Sequence, residues 1–379
     1  MTLSREQIEV IESSVPVLET MVEEITKKFY STLLSENPQL LSIFNKSNQF
    51  DAQPRALAMG VIAYAKNIDN LGALGDAVNR IAHKHCALTV QPDQYPIVGK
   101  YLLQAIAEHV GAEIANEKFL DAWSAAYNQL ADILIRAESN IYEENAKQGW
   151  ALYKKFRVVQ KVKETRNVTS FYLRPNDGKL IVPVPGQSIS LKIILADGTV
   201  QHRQYSSSDI TEEEGNYRIS VKHLNGGVIS TYLHDHVKKG DELDVIAPGG
   251  HFFLHRDKSD VLLLGCGIGI TPLVAMSKDA ISQGRKVHLI QCDKDEDSIP
   301  FKDTFEHLTA QHSDFHYYNF YSKHRFGKKD LARGIARLNK PKVYVVGPHK
   351  FMAEINEWSK NLEVEGASFY YDFFGPSRF

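Results

Sequence analysis

Cysteine is scarce in this sequence: three residues in 379, at Cys86, Cys266 and Cys292. Three scattered thiols build neither a disulfide framework nor a zinc site, and they suit a reducing compartment. An excess of either charge is also lacking. Forty-four lysines and arginines stand against 46 aspartates and glutamates, a net charge of −2. That balance leaves no electrostatic footprint for nucleic acid or an acidic membrane surface. No hydrophobic run is long enough to span a bilayer. The most apolar stretch, 261–276, is broken by Gly265, Gly267, Gly269, Thr271 and Pro272, a pattern that suits strand, turn and helix. The N-terminal MTLSREQIEVIE is charged early and has no apolar h-region, so no signal peptide is expected. A cytoplasmic location without integral membrane association follows as the expectation. Internal repeats and low-complexity segments are missing too. What remains, 43% hydrophobic and 24% charged residues, is ordinary for a globular chain.

The length allows two or three domains, and the hydrophobic period changes twice. Residues 1–145 read as helix. Ser4 and Gln7 have capping-box spacing. Val22, Ile25, Phe29 and Leu33 recur every three or four residues, as do Leu120, Trp123, Tyr127, Leu130 and Leu134. Asn37-Pro38 and Gln53-Pro54 look like helix starts with proline in the first turn. After Gly149-Trp150 come short runs rich in Val, Ile, Phe and Tyr: 156–162, 168–173, 187–195, 217–221 and 242–246. Turns such as Asp197-Gly198 and Asn225-Gly226-Gly227 separate them, which predicts a small antiparallel barrel over 151–257. Over 258–379 the runs 261–264, 287–291 and 343–346 are continuously apolar and alternate with helix-like segments, the pattern of a parallel α/β sheet.

In the helical part the segment IAHKHCAL carries two histidines. His85 lies seven residues after Val78 and four after Ile81, on the face they share with Leu74 and Ala82, whereas His83 falls outside that stripe and is expected in solvent. An inward imidazole is either a core histidine with a polar partner or a ligand. Tyr95 opens the next helix after Pro92. Glu138 extends the stripe of Tyr127, Leu130 and Leu134 by one turn. A buried carboxylate needs a partner, and a histidine that donates its second N–H to a tyrosine or carboxylate has the pattern of a metal ligand. The alternative is a Glu138 exposed at a frayed helix end.

Three further segments bind phosphate or flavin in principle. In HRQYSSS, Arg203 can clamp a pyrophosphate bidentately and Tyr205 can stack on an isoalloxazine ring. In KHLNGGVISTYLHD, the amides of Gly227, Val228, Ile229 and Ser230 can cradle phosphate. GCGIGITP, Gly265 to Pro272, follows a strand and opens a helix but lacks the third glycine of GxGxxG. Taken singly, each of these could be an ordinary strand or turn.

Together the segments carry a resemblance. HKHCALTVQPDQYPIVGKYLL is similar to the proximal side of bacterial flavohaemoglobin globins, over residues 1 to about 145. HRQYSSS, KHLNGGVISTYLHD and GCGIGITP resemble the ferredoxin–NADP⁺ reductase superfamily, as does the terminal YYDFFGP. The resemblance implies an all-α globin fold, then an antiparallel β-barrel FAD domain, then an α/β parallel-sheet NAD(P)-binding domain. It implies His85 as the proximal iron ligand with Tyr95 and Glu138 behind it, and Tyr30 and Gln53 as distal donors. Phe44 and Leu57 then line the haem, and Lys84 lies between haem and flavin. Arg203, Gln204, Tyr205, Ser206 and 227–230 fall on the flavin. Gly267, Ile268, Gly269, Ile270, Thr271 and Pro272 fall on the nucleotide. Val346-Gly347-Pro348 occupies the place of the superfamily's Cys-Gly-Pro. Asp372, Phe373, Phe374, Gly375 and Pro376 form the terminal motif, with Phe374 as the flavin cover. Three residues depart from the pattern: Ser188 for a tyrosine, Ile270 for a glutamine and Asp372 for a glutamate.

The implied activity is nitric oxide dioxygenation, NO and O₂ giving nitrate, with haem b, FAD and NAD(P)H as cofactors and no macromolecular partner; a monomer is expected. NADH is the expected donor, because four acids, Asp293, Asp295, Glu296 and Asp297, surround one lysine, Lys294, after the run ending at Gln291. A second reading is an oxygen-binding or redox-sensing haemoglobin whose reductase only keeps iron ferrous. A third, a flavin reductase with a degenerate globin, is disfavoured by His85 with Tyr30 and Gln53.

Overall fold

The computed structural model describes residues 2–44, 52–211, 215–362 and 366–374, with backbone alone for 52–56 and 210–211. The chain divides into two compact units, one built on the helices up to Leu152 and the other on Tyr153–Ile193 with Arg203–Phe374.

Among the described residues, five α-helices form the first unit: α1 (Arg5–Glu36), α2 (Ala52–Lys66), α3 (Gly75–Cys86), α4 (Tyr95–Val110) and α5 (Glu117–Gln148). The capping box at Ser4 and Gln7 starts α1 as its spacing predicts. Asn37-Pro38 opens only a short 3₁₀ turn, Pro38–Ser42. Ile25, Phe29, Leu33, Leu102, Ile106 and Trp123 share the main core. Two expectations are corrected here. Leu120 is exposed, because the inward face of α5 at this point is Phe119, Ala122 and Trp123. Leu120 stands about 100° round the helix from Phe119. His83 is half-buried rather than solvated, and burial lowers its pKa. Helices α4 and α5 approach closely at Gly99, where a Cβ would lie 2.4 Å from Tyr127 Cε1. The same Tyr127 donates its hydroxyl to the Tyr95 carbonyl at 2.6 Å. This close approach sets Tyr95 facing the far half of α5.

The second unit begins with a closed antiparallel barrel. Its strands are β1 (Tyr153–Lys163), β2 (Val168–Pro175), β3 (Ser188–Ile194), β4 (Val200–Thr211), β5 (Asn216–Lys222) and β6 (Glu242–Gly249), in the order β1-β2-β5-β4-β3-β6. β4 is the strand that periodicity does not reveal. It carries Ser206, Ser207 and Ser208, buried on both of its faces, so hydrophobic alternation is missing.

A five-stranded parallel sheet follows, with β7 (Val261–Cys266), β8 (Val287–Asp293), β9 (Phe315–Tyr321), β10 (Lys342–Val346) and β11 (Ser368–Asp372) in the order β11-β10-β7-β8-β9. The two strands that apolar runs do not announce, β9 and β11, are the edges, half-buried and aromatic instead of continuously aliphatic. α6 (Val228–Thr231) belongs to the barrel, whereas α7 (Thr271–Ser282), α8 (Lys302–Gln311), α9 (Lys328–Ala336) and α10 (His349–Asn361) cover the sheet. Leu273, Val274 and Phe305 of α7 and α8 pack on one face, and Leu331, Ile335 and Met352 of α9 and α10 on the other. Strand order reverses at β7, between β8 and β10. Open sheets of this kind bind ligands at the carboxyl ends of the strands beside such a switch point. Among the described residues, no helix is long and apolar enough to cross a membrane.

Candidate functional site

Spacing on α3 and α5 turns His85 and Glu138 inward, the resemblance puts them together with Tyr95, and the structure brings the three into contact. His85 Nδ1 lies 2.7 Å from Glu138 Oε1 and 3.0 Å from the Tyr95 hydroxyl, and that hydroxyl donates to the same Glu138 oxygen at 2.5 Å. Glu138 is 2% exposed, so it is a buried carboxylate and not a frayed end. Burial chiefly, and the bonded Glu138 next, push the Tyr95 phenol pKa up, which keeps its proton in place. With Tyr95 donating and Glu138 accepting, the proton at Nδ1 belongs to the imidazole. Nε2 then carries the lone pair. Nε2 has no hydrogen-bond partner among the described residues, on a side chain 31% exposed. An imidazole anchored at Nδ1 with a bare Nε2 fits an axial iron ligand.

Tyr30 is 7% exposed, its ring 4.8 Å from Phe29 and 5.4 Å from Phe44, both edge-on. Leu57 packs against the same core. Gln53 stands in the first turn of α2, and its side chain lies outside the described residues. Lys84 is half-buried.

In the second unit, β4 carries Arg203, half-buried and with its pKa lowered by burial, then exposed Gln204, half-buried Tyr205 and buried Ser206. The turn before α6 is tight. Ser230 Oγ accepts from the Leu224 amide at 3.1 Å and donates to the Gly227 carbonyl at 3.1 Å. A Cβ on Gly227 would meet Ser230 Oγ at 2.6 Å. The turn is therefore bare backbone, as a phosphate cradle requires. Ile229 is buried beneath it and Val228 is 59% exposed. Ser188 opens β3 opposite Gly249.

At the switch point, Gly267 has φ +58 and Gly269 leaves no room for a side chain: its Cβ would lie 2.5 Å from the Val346 carbonyl oxygen and 2.8 Å from the Gly347 nitrogen. Gly347 in turn would place a Cβ 2.8 Å from Cys266 Cβ. Gly267 supplies the positive φ, Gly269 admits the β10 backbone and Gly347 admits Cys266, so the ends of β7 and β10 meet closely in a cradle that fits a dinucleotide. Ile270 and Thr271 point inward and are buried, Ile270 covering Gly265 and Thr271 donating to the Ile268 carbonyl at 2.9 Å. Pro272 is buried in the first turn of α7. These three shape the turn. Lys222, to which spacing and motif assign no role, ends β5 with its Nζ 3.7 Å from where a Gly267 Cβ would stand. Its one sequence signal is its place just before the HLNGG turn. Asp372 pairs in register with Val346 at the same sheet end. Phe373 packs on the α9–α10 face and Phe374 is 55% exposed. Gly375 and Pro376 lie outside the described residues.

Fold and site together define a globin joined to a flavin- and nicotinamide-binding oxidoreductase. Residues 27–134 match the globin family model, 155–254 the oxidoreductase FAD-binding domain and 263–357 the oxidoreductase NAD-binding domain. The chain is 41% identical over 389 residues to the flavohemoprotein of Pseudomonas aeruginosa, covering 99% of this chain and 98% of that protein. It is 42% identical over 391 residues to the flavohemoprotein of Burkholderia sp., covering 99% of each. The crystal structure of flavohemoglobin from Malassezia yamatoensis with bound FAD and heme superposes with a TM-score of 0.86 at 28% identity, over 98% of this chain and all of that one. The flavohem-like FAD/NAD-binding domain of nitric oxide dioxygenase from Vibrio cholerae matches 58% of this chain and 98% of that one, with a TM-score of 0.52 at 27% identity. The chain belongs to the flavohaemoprotein family.

Proposed function

We propose that this oxidoreductase is a nitric oxide dioxygenase that uses NADH, FAD and haem b to convert NO and O₂ to nitrate. The observation that carries this reading is the His85–Glu138–Tyr95 arrangement. A carboxylate bonded to the Nδ1–H of a ligand histidine makes the imidazole a stronger donor, which favours oxygen activation over reversible oxygen carriage. When bound, FAD splits the nicotinamide's hydride pair into single electrons, and haem supplies the iron at which O₂ and nitric oxide react.

The chain's own residues hold and orient. His85 Nε2 would hold the haem iron. Tyr30 and Gln53 supply distal donors, with Phe44 and Leu57 as the apolar wall. Lys84 lies on the proximal side. Arg203 would clamp the flavin pyrophosphate, Tyr205 would stack on the ring system with Gln204 and Ser206 beside it, and the amides of 227–230 would take phosphate. The 267–269 turn and Lys222 receive the nucleotide pyrophosphate. Asp372, Phe373 and Phe374 would cover the flavin, with Phe374 as the covering ring. The Vibrio cholerae neighbour is a domain of a nitric oxide dioxygenase, and that likeness supports the same reading. The protein is expected to work as a monomer in the cytoplasm.

The test is turnover. Each NO and O₂ take up one electron on becoming nitrate, so two NO are consumed per NADH. Stopped-flow mixing of the oxygenated, reduced protein with nitric oxide should give nitrate within the mixing phase, and steady-state assays should give that stoichiometry. Slow or substoichiometric nitrate formation would return the protein to the oxygen-binding or redox-sensing reading.

A further inference from the structure

Four residues outside the described sites join the barrel to the nucleotide-binding sheet. Asp209 lies on β4, six residues beyond Arg203, and Arg218 lies on β5, four residues before Lys222. Lys278 lies on α7, the helix that begins at the nucleotide turn, and Phe301 precedes α8 in the loop after β8. β4, β5 and α7 thus each carry both a site residue or turn and a joint residue.

The contacts are specific. Lys278 Nζ donates to Asp209 Oδ2 at 2.6 Å, and Arg218 Nη2 is 3.5 Å from the same oxygen. Arg218 is 8% exposed. Its Nε donates to Ser208 Oγ at 3.1 Å and its Nη2 to the Ser208 carbonyl at 3.3 Å. Its guanidinium lies 4.8 Å from the centre of the Phe301 ring. Phe301 is 5% exposed and sits at φ +64, ψ +17, a left-handed conformation that an aromatic residue rarely adopts. Such a backbone persists only where its surroundings hold it, and here the apolar core of the sheet and the buried guanidinium both lie against the ring. A third contact steadies the pair. Gly186, at φ +105 before β3, would place a Cβ 2.4 Å from Met276 Cε and 2.7 Å from the Phe252 carbonyl oxygen, and Met276 lies two residues before Lys278 on α7. A single contact would leave a hinge, whereas three separate contacts restrict the orientation.

We propose that Asp209, Arg218, Lys278 and Phe301 are positioning residues whose joint sets the distance between the flavin held by β4 and the nicotinamide held at the α7 turn, and so sets the hydride-transfer rate. The inference rests on the reading that NADH reduces FAD in this unit. The Lys278 side chain is 42% exposed, so its ion pair adds little to stability. Hydride transfer, by contrast, needs reacting atoms about 3–3.5 Å apart, and a displacement of about 1 Å costs on the order of a hundred-fold. A contact that is weak for stability is therefore strong for rate.

The experiment is anaerobic stopped-flow reduction of the FAD-loaded full chain by NADH and by 4-deuterated NADH, which separates nucleotide Kd from the limiting rate. Lys278→Gln should lower the limiting rate about three- to ten-fold and Asp209→Asn at least about ten-fold, since Asp209 serves two cations. Kd and FAD content should stay within two-fold, and the deuterium effect should be full. Lys278→Arg, which keeps the charge, should restore the rate. The double variant should be no slower than Asp209→Asn alone, because the groups act as one unit. Should Asp209→Asn fail to fold, Lys278→Gln on the more exposed partner still decides. Limiting rates within two-fold of wild type, or losses confined to Kd, overturn the joint. A wild-type protein whose FAD is not reduced by NADH overturns the functional reading, and the joint with it.

Discussion

Glu138 Oε1 lies 2.7 Å from His85 Nδ1, a carboxylate buried to 2% exposure against an imidazole whose other nitrogen has no partner among the described residues. The geometry dictates a tautomer. Tyr95 keeps its proton and donates a hydrogen bond to Glu138, so the Nδ1–H belongs to the neutral imidazole, and the lone pair is left at Nε2.

His85→Ala should therefore lose stably bound haem while keeping FAD and its reduction by NADH, and His83→Ala should keep its haem. An unchanged Soret band in His85→Ala would sink the ligand assignment. Glu138→Gln should retain haem but lower nitric oxide turnover by about 10- to 100-fold, the usual cost of losing a ligand's hydrogen-bonded partner.

Tyr30 is wedged edge-on between Phe29 and Phe44, so Tyr30→Phe keeps the packing and removes one hydroxyl. A hydrogen bond to a charged partner is worth roughly 1.5–3 kcal/mol. Oxygen dissociation should accelerate by about ten- to a hundred-fold, measured by displacement with carbon monoxide. A rate within two-fold of wild type would make the hydroxyl structural.

Gly269 has no space for a methyl group, since the nearest atoms are the carbonyl oxygen and carbon of Val346, at 2.5 and 2.6 Å. Backbone cannot swing aside as a side chain can. Gly269→Ala should strain the turn by ~1–3 kcal/mol, weakening nucleotide binding while flavin content stays normal. Titration of the FAD-loaded protein with NAD⁺ reads this directly, and an unchanged Kd would place the nucleotide elsewhere.

Among the acids behind the donor preference, Asp293 is the one at the end of the strand. Of the acids after β8, Glu296 is paired with Lys302, and Asp295 accepts from Ser298 Oγ at 2.6 Å. Lys294, the one lysine among these acids in sequence, is thus joined in space by Lys302. Asp293 ends the strand half-buried, its pKa raised by burial. One carboxylate facing an added 2′-phosphate costs at least ~1.4 kcal/mol, about ten-fold, in a partly buried site. kcat/KM should favour NADH by that factor, Asp293→Asn should shrink the gap, and added salt should narrow it by screening. Equal efficiencies with NADH and NADPH would refute the argument.

His288 is 1% exposed on β8, and its Nδ1 has no hydrogen-bond partner among the described residues. Burial first, then His316, Lys286 and Arg337, lower its pKa to about 4 from 6.5, with Asp260 opposing. Unfolded chains take up this proton below pH 6.5 and the native state only near pH 4. The contribution of His288 to stability is thus complete above pH 6.5 and is lost as pH falls through that window, up to about 3 kcal/mol. His288→Leu should flatten the fall of Tm between pH 6.5 and 4, followed by release of flavin fluorescence. Superimposable curves for variant and wild type would count against it.

Much of this protein is legible along the chain because local burial leaves a local period. The capping box at Ser4 and Gln7, the inward turn of His85 and Glu138, and the apolar run feeding the 265–272 turn are all read from spacing. Where an element buries polar groups or lies at an edge, the period vanishes. β4 hides three serines, and β9 and β11 are half-exposed aromatic strands, so none of the three shows an aliphatic pattern. What only the tertiary structure decided are meetings between residues far apart in sequence. Gly99 admits the Tyr127 ring, Gly269 admits the Val346 backbone, and Asp209 receives Lys278. A glycine or an aspartate carries no mark of its distant neighbour, because close approach depends on where whole helices and strands come to rest. Residue type and spacing decide which face is buried, but the packed chain alone decides what that face meets.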